Sequence, residues 1–182
     1  MSRERLDTRF LIFPAGPNDA AALARVHITS WQETYAGVLS AAWLARLSLT
    51  GHAGRFARML SKPAPDDVTL TVADPWGLVG YAQGGRSRRG IAGEAEVMTL
   101  YLLRSAQKQG LGRRLLTDTA RVLAAQGAQT LVISVLHDNL AARSFYEHLG
   151  GVAEPARRER GPDGGVYLEV AYAWPDISLL TG

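Results

Sequence analysis

Apolar positions recur along this chain first at helical and then at strand spacing, and the change of period divides it. Arg9 to Phe13 reads as a short first strand, broken by Pro14-Ala15-Gly16-Pro17. Asn18 or Asp19 can cap the helix that follows, in which Ala22, Leu23, Val26 and His27 share a face and the pattern runs on through Trp31 and Tyr35 to Gly37. Two further helices are predicted over Ala41–Leu47 and His52–Leu60, before the loop Ser61-Lys62-Pro63-Ala64-Pro65-Asp66-Asp67. Strands then follow at Val68–Val72 and Leu78–Gln83, joined by the turn Asp74-Pro75-Trp76-Gly77. Gly84–Gly93, polar and rich in Gly and Arg, is expected to be an exposed, mobile loop. Glu96–Leu103 has the strongest strand pattern.

In the C-terminal half, Leu111–Gln126 carries Leu115, Leu116, Thr119, Val122 and Leu123 on one broad helical face, with Gly127 as its stop. Thr130–Leu136 is a strand and Asn139–Leu149 a helix closed by Gly150. A last hairpin pairs Ala153–Arg160 with Val166–Ala173 across Pro162-Asp163-Gly164-Gly165. The pattern of the tail after Trp174 decides nothing. Strand, helices, an antiparallel trio, helix, strand, helix and hairpin together predict an α/β fold, a mixed sheet covered by helices.

The 182 residues, 47% of them hydrophobic, suffice for one sizeable core, and a single domain over residues 1–182 is expected. Cysteine is absent, which removes disulfide and thiolate chemistry and fits the reducing cytoplasm expected here. No apolar run reaches membrane-span length, and Met1-Ser2-Arg3-Glu4-Arg5-Leu6-Asp7 lacks the apolar core of a signal peptide. The formal charge of +3 is a small excess, carried almost wholly by Arg. The groups Arg86/Arg88/Arg89 and Arg157/Arg158/Arg160 read as solvated loop and strand-edge charge, because neither has the aromatic interleaving of a nucleic-acid face. With no Cys and no clustered His, no metal site is expected. A homodimer through an exposed strand or helix face is compatible with the sequence, which identifies no two-fold interface.

The most informative chemistry lies at Gln107-Lys108-Gln109-Gly110-Leu111-Gly112, where an apolar run gives way to a helix. Glycines there let backbone N–H groups converge on phosphate oxygens, and the helix dipole adds attraction for an anion. The stretch lacks the full G-x-G-x-x-G spacing of a dinucleotide fold, and the acidic Glu96 precedes it. No Lys-Ser or Lys-Thr follows the glycines, so it is not a Walker loop either. About 30 residues on comes a second block, Asn139-Leu140-Ala141-Ala142-Arg143-Ser144-Phe145-Tyr146-Glu147-His148-Leu149-Gly150.

The two blocks, with the strand Glu96-Val97-Met98-Thr99-Leu100-Tyr101-Leu102, resemble the signatures of the GNAT superfamily of N-acetyltransferases. Gln107 to Gly112 is similar to its Q/R-x-x-G-x-G/A element. Asn139, Ala142, Phe145, Tyr146 and Gly150 are similar to its second signature. Trp31-Gln32-Glu33-Thr34-Tyr35-Ala36-Gly37 resembles a segment of many small bacterial members. The chain departs from the pattern in carrying Arg104 where Pro is frequent, Lys108 where Gly is frequent, and Gly151 where an aromatic residue commonly follows. The last change is expected to loosen the core or the acyl pocket.

The resemblance implies the GNAT acyl-CoA fold, with a central mixed, mostly antiparallel sheet, and acetyl-CoA as donor. It implies pyrophosphate binding by N–H groups of Gln109, Gly110, Gly112 and Arg113 in the stretch that includes Leu111, with Lys108 meeting a phosphate through its side chain. The pantetheine arm would run along Leu100, Tyr101 and Leu102 and enter through a splay between that strand and Thr130–Leu136, with Asn139 as a polar contact and helix cap. Tyr146 would give a proton to the leaving thiolate, and the backbone N–H near Leu100 would face the oxyanion. Glu96, Glu94 or water would take the proton of the acceptor amine. Trp31 and Tyr35 would line the acceptor cleft, with His27 one turn earlier. The acceptor would be a primary amine of a small molecule or peptide; a non-catalytic acyl-CoA-binding regulator is the alternative.

Overall fold

The computed structural model describes residues 9–182; the N-terminal segment read above for a signal peptide lies outside them. Eight strands are present among the described residues: β1 (Leu11–Pro14), β2 (Val68–Asp74), β3 (Gly77–Arg86), β4 (Glu94–Leu102), β5 (Thr130–Leu136), β6 (Val152–Ala153), β7 (Arg157–Arg160) and β8 (Val166–Trp174). They form one sheet of order β1-β2-β3-β4-β5-β8-β6, with β7 also paired to β8. Every pairing is antiparallel except that of β4 with β5. The helices are α1 (Ala20–Tyr35), α2 (Ala41–Ala45), α3 (Leu49–Ser61), α4 (Leu111–Ala125), α5 (Leu140–His148) and α6 (Ser178–Thr181). This is the mixed, mostly antiparallel sheet flanked by helices that the sequence implied.

Two apolar layers hold the helices to the sheet. On one face, Leu111, Leu115, Leu116, Ala120 and Leu123 of α4 pack on Val72, Ala82, Val97, Leu131 and Ile133, together with Tyr146 of α5. On the other, Leu23 and Val26 of α1 and Phe56 of α3 cover Leu78 and Tyr81. α3 begins earlier than its apolar pattern because Ser48 caps it, its hydroxyl accepting from the Gly51 N–H at 3.1 Å.

The Gly-rich stretch after Gln83 is not a loop at its start. Gly84 and Gly85 continue β3, pairing with Val97 and Glu96. A Cβ on Gly84 would sit 3.0 Å from Leu123 and 3.3 Å from Thr119, so glycine there lets α4 lie close on the sheet. The predicted strand Ala153–Arg160 is split into β6 and β7 around Pro155, which has no N–H to give to a ladder. The tail packs: Ile177 and Leu180 are buried in the α4 layer.

Gly151 loosens nothing. A Cβ there would stand 2.8 Å from the ring of Trp174, which is fully buried and donates its indole N–H to the Leu149 carbonyl at 2.9 Å. The aromatic bulk comes from β8 rather than from the residue after α5. Gly151→Phe is therefore expected to destabilise by about 3 kcal/mol, through overpacking. Trp174→Ala should cost about as much or more through the cavity it leaves. The double variant should cost less than the sum of the two by at least about 1 kcal/mol, measured by urea unfolding.

The feature that makes a site is a parting of strands. β4 and β5 pair only at Glu94–Thr130, Ala95–Leu131 and Glu96–Val132 and then separate. Just past that point Met98 is an unpaired extra residue, since Thr99 faces Gln83 while Val97 faces Gly84. This β-bulge re-aims the rest of β4. Tyr101, opposite Tyr81, comes to lie on the α1–α3 face together with Glu96, whereas Leu100 and Leu102 join the α4 layer.

Candidate active site

The parting opens a cavity of about 650 Å³. One wall is β4 from Met98 to Leu102 and the other is Ile133, Ser134 and Val135 of β5. Asn139 with Ala142, Phe145 and Tyr146 of α5 closes one end, Lys108, Gly110, Gly112 and Arg113 a second, and Glu33, Thr34 and Tyr35 of α1 a third. Leu100, Tyr101, Leu102, Lys108, Gly110, Gly112, Arg113, Asn139, Tyr35 and Tyr146 are thus brought together. Five sequence candidates are not: Glu94, Glu96, Gln109, Leu111 and Trp31 do not line the cavity.

The α4 end suits an anion. Gly110, the residue before the helix, has φ 76°, the left-handed region that glycine enters without a steric cost. It offers no side-chain cap, and the first turn of α4 holds no acidic residue. Arg114 N–H is the first in the helix to find a backbone carbonyl, that of Gly110, so the earlier N–H groups are left for a ligand. Lys108 also has a positive φ, 58°, which costs a non-glycine residue roughly 1 kcal/mol. Gly112 serves packing as well, since a Cβ there would meet the Phe145 ring at 3.3 Å. The Gln109 side chain is turned away, accepting from Arg9 at 2.6 Å and donating to the Ser105 carbonyl at 2.9 Å. Leu111 is in the core, so only its backbone can face a ligand. Arg104 uses the N–H that a proline would lack, giving it to a Glu33 carboxylate oxygen at 3.2 Å, while its guanidinium reaches the Glu33 carbonyl at 2.8 Å. These two bonds tie the end of α1 to the turn before α4.

Asn139 caps α5, its side chain accepting from the Ala142 N–H at 3.2 Å, and also faces the cavity. Tyr146 is buried on the same helix against Phe145, Tyr172 and Trp174, and among the described residues its hydroxyl makes no hydrogen bond. Burial, with Tyr35 nearby, pushes its pKa well above the usual tyrosine value, so it stays protonated.

The acidic candidates are engaged elsewhere. Glu96 is buried and accepts from the Arg88 backbone N–H at 3.1 Å, from its Nε at 3.0 Å and from its Nη2. Burial alone would raise its pKa, but the hydrogen bonds and charge of Arg88 outweigh that and hold it below the usual value. A carboxylate so stabilised is a poor proton acceptor. Glu94 accepts from Ser87 Oγ at 2.7 Å and lies 3.5 Å from Arg89. Both read better as anchors of the loop after β3. Glu96 has a depressed folded-state pKa, so its contribution to stability is complete above the unfolded value near 4.5 and is lost as pH falls through the lower folded value. Glu96→Gln should accordingly lower stability by about 2 kcal/mol at pH 7, with the gap to wild type closing below about pH 4 in urea titrations.

Trp31 packs behind the cavity, its ring 5.3 Å from Tyr35 and 5.5 Å from Trp43. His27 is buried too, its Nδ1 at 2.6 Å from the Tyr81 hydroxyl; burial, then the neighbouring His52 and Arg55, bring its pKa down to about 3, so it is a neutral packed histidine. Residues for which no ligand contact was expected from sequence also line the cavity, among them Glu33, Thr34, Arg104, Ser134 and Phe145. Among the described residues, no group of three or more His, Asp or Glu is placed to hold a metal ion, and no helix is long and apolar enough to cross a membrane.

Comparison with known proteins matches this arrangement to a family. Residues 28–151 match the acetyltransferase (GNAT) family, and the chain belongs to it. An uncharacterized N-acetyltransferase, YuaI of Bacillus subtilis (strain 168), is 28% identical over 164 residues, spanning 89% of this chain and 91% of its own. Among solved structures, the PaiA N-acetyltransferase of Thermoplasma acidophilum in complex with coenzyme A superposes with TM-score 0.66 at 21% identity, over 91% of this chain and 99% of that one. The ribosomal-protein-alanine N-acetyltransferase of Brucella melitensis does so with TM-score 0.69 at 19% identity, over 90% and 98%. At these identities the likeness establishes the shared fold.

Proposed function

We propose that this chain, acting as a single domain, transfers an acetyl group from acetyl-CoA to a primary amine of a small molecule or peptide by direct attack. The observation that carries the reading is the cavity in the parting of β4 and β5, with an uncapped helix N-terminus at one end and a protonated tyrosine at another. These suit the three parts of the donor: phosphates, an extended amide-bearing arm, and a thioester.

The N–H groups of Gly110, Gly112 and Arg113 hold the pyrophosphate, with Lys108 adding charge. The edge of β4 freed by the parting offers main-chain partners to the arm, as it would to an added strand. The thioester is already activated, so the chain needs to orient the amine and stabilise charge rather than form a covalent intermediate. The main-chain N–H near Leu100 faces the oxyanion and the Tyr146 hydroxyl faces the sulfur. A family of acetyltransferases and a coenzyme A complex among the structural relatives support the choice of donor.

Thiol release from acetyl-CoA, followed against a panel of aliphatic amines, polyamines, amino acids and peptides with free N-termini, tests the reading. Amine-dependent release is expected. Donor binding with no release across the panel would favour the non-catalytic regulator instead.

A further inference from the structure

With Glu96 and Glu94 held by arginines, the face of the sheet opposite α4 presents one carboxylate on β8 that is held by none. Glu169 is half-buried, and among the described residues its side chain makes no hydrogen bond and no ion pair within 4 Å. It pairs across the sheet with Leu136 of β5 and Arg157 of β7. Two residues along β8, Ala171 pairs with Ser134, which lines the cavity. Alternation puts Glu169, Ala171 and Ser134 on one face, and diagonal neighbours across such a pair are about 7 Å apart. Glu96 is on this face as well, opposite Val132 in the short paired stretch of β4 and β5. Beside Ser134, β8 carries only the small side chains of Ala171 and Ala173 on this face.

Tyr35 is the last residue of α1, the helix that covers this face of the sheet. It lines the cavity, and the charge of Glu169 is one of the influences that raise its pKa, after burial. The two are tied together. Asp163, at the tip of the β7–β8 hairpin, accepts from the Ser40 backbone N–H at 2.9 Å, beyond the end of α1, and from the Tyr167 hydroxyl at 2.7 Å. The tie holds the hairpin carrying Glu169 to the segment that follows Tyr35.

We propose that Glu169 is the carboxylate that binds the acceptor's ammonium group and takes its proton, so that the acceptor is a cationic primary amine entering between Tyr35 and β8. This rests on the transfer function proposed above. One proton of R–NH3+ passes to the Glu169 carboxylate, directly or through one water. The freed lone pair forms the C–N bond as the C–S bond breaks. A second N–H proton is lost from nitrogen as the amide forms and balances the one that the thiolate takes up, so the products are amide and thiol. Glu169 then returns its proton to water. Burial, Glu159 and Glu96 raise the carboxyl pKa while Arg88 opposes them, which brings it nearer the range of a working base. The charged and titratable groups around it are Arg157, its cross-strand partner on β7, with Glu159 of the same strand, Glu96 of β4, Arg88 of the loop after β3 and Tyr35 of α1.

The test uses the full chain, an amine turned over by the wild type, and the variants Glu169→Gln and Glu169→Asp, each checked for wild-type melting and acetyl-CoA affinity. Glu169→Gln should lower kcat/KM by about 100-fold and abolish the rise in rate on the acid side of the pH profile, and Glu169→Asp should restore part of both. A profile and kcat/KM unchanged in Glu169→Gln, with wild-type transfer intact, would overturn the role of Glu169 and leave the transferase reading standing. Acetyl-CoA binding with no amine accepted by the wild type would overturn both.

Discussion

Tyr146→Phe should bind acetyl-CoA with nearly wild-type affinity and carry out the chemical step about 10-fold to about 10⁴-fold more slowly, the span available to general acid catalysis. The structure favours the lower half of that span. The Tyr146 pKa is raised by burial and by Tyr35, whereas a thiol titrates near 8.5, so full proton transfer from a group above 10 is uphill by at least about 2 kcal/mol. Its hydroxyl then acts chiefly as a hydrogen-bond donor to the developing thiolate, with water completing the protonation. The fold should not suffer. The phenyl ring keeps its contacts with Phe145, Tyr172 and Trp174, and among the described residues the hydroxyl has no hydrogen bond to lose. Single-turnover thiol release at saturating donor reads the chemical step; a rate equal to wild type would reduce Tyr146 to a packing residue.

Gly110→Val should weaken acetyl-CoA binding by about 10-fold to about 100-fold while leaving the protein folded. Gly110 has φ 76°, and a β-branched residue there costs at least about 1–2 kcal/mol or forces the loop into another region. Among the described residues, and apart from its chain neighbours, no atom lies within 4 Å of the position a Cβ would take, so the substitution meets no clash there. The loss arises in the loop itself, where the N–H groups no longer converge and one or more charge-assisted hydrogen bonds go, at about 1.5–3 kcal/mol each. Gly110→Ala should fall between. Calorimetry with acetyl-CoA measures the series, and unchanged affinity in the valine variant would remove the pyrophosphate from this loop.

Much of the frame was legible because it depends on local patterns. The strand Thr130–Leu136 and the helix beginning at Leu111 begin where their apolar spacing and flanking residues put them. The loop before α4 was legible for the same reason: its glycines mark a backbone that only their lack of a side chain permits. Other features depend on partners distant in sequence. Strict alternation along β4 would put Glu96 and Leu100 on one face, but the bulge at Met98 exchanges the faces beyond it, and nothing local announces an extra residue. Glu94 and Glu96 looked available because Arg88 and Arg89 sit in a segment read as mobile loop, whereas the extension of β3 and its return hold those arginines against them. Trp174 could not be assigned to the space beside Gly151, because a strand near the end of the chain and a turn after α5 meet only in the folded sheet. Glu169 had no motif to mark it; its place beside the cavity follows from the register of β8 on β5.

A crystal structure of the protein with acetyl-CoA decides whether the donor lies in the parting of β4 and β5. Pyrophosphate oxygens are expected on the N–H groups of the segment from Lys108 to Arg113, the arm threaded between β4 and β5, and the thioester sulfur within hydrogen-bond reach of the Tyr146 hydroxyl. Acetyl-CoA bound outside this cavity, or its sulfur beyond the reach of Tyr146, would contradict this placement.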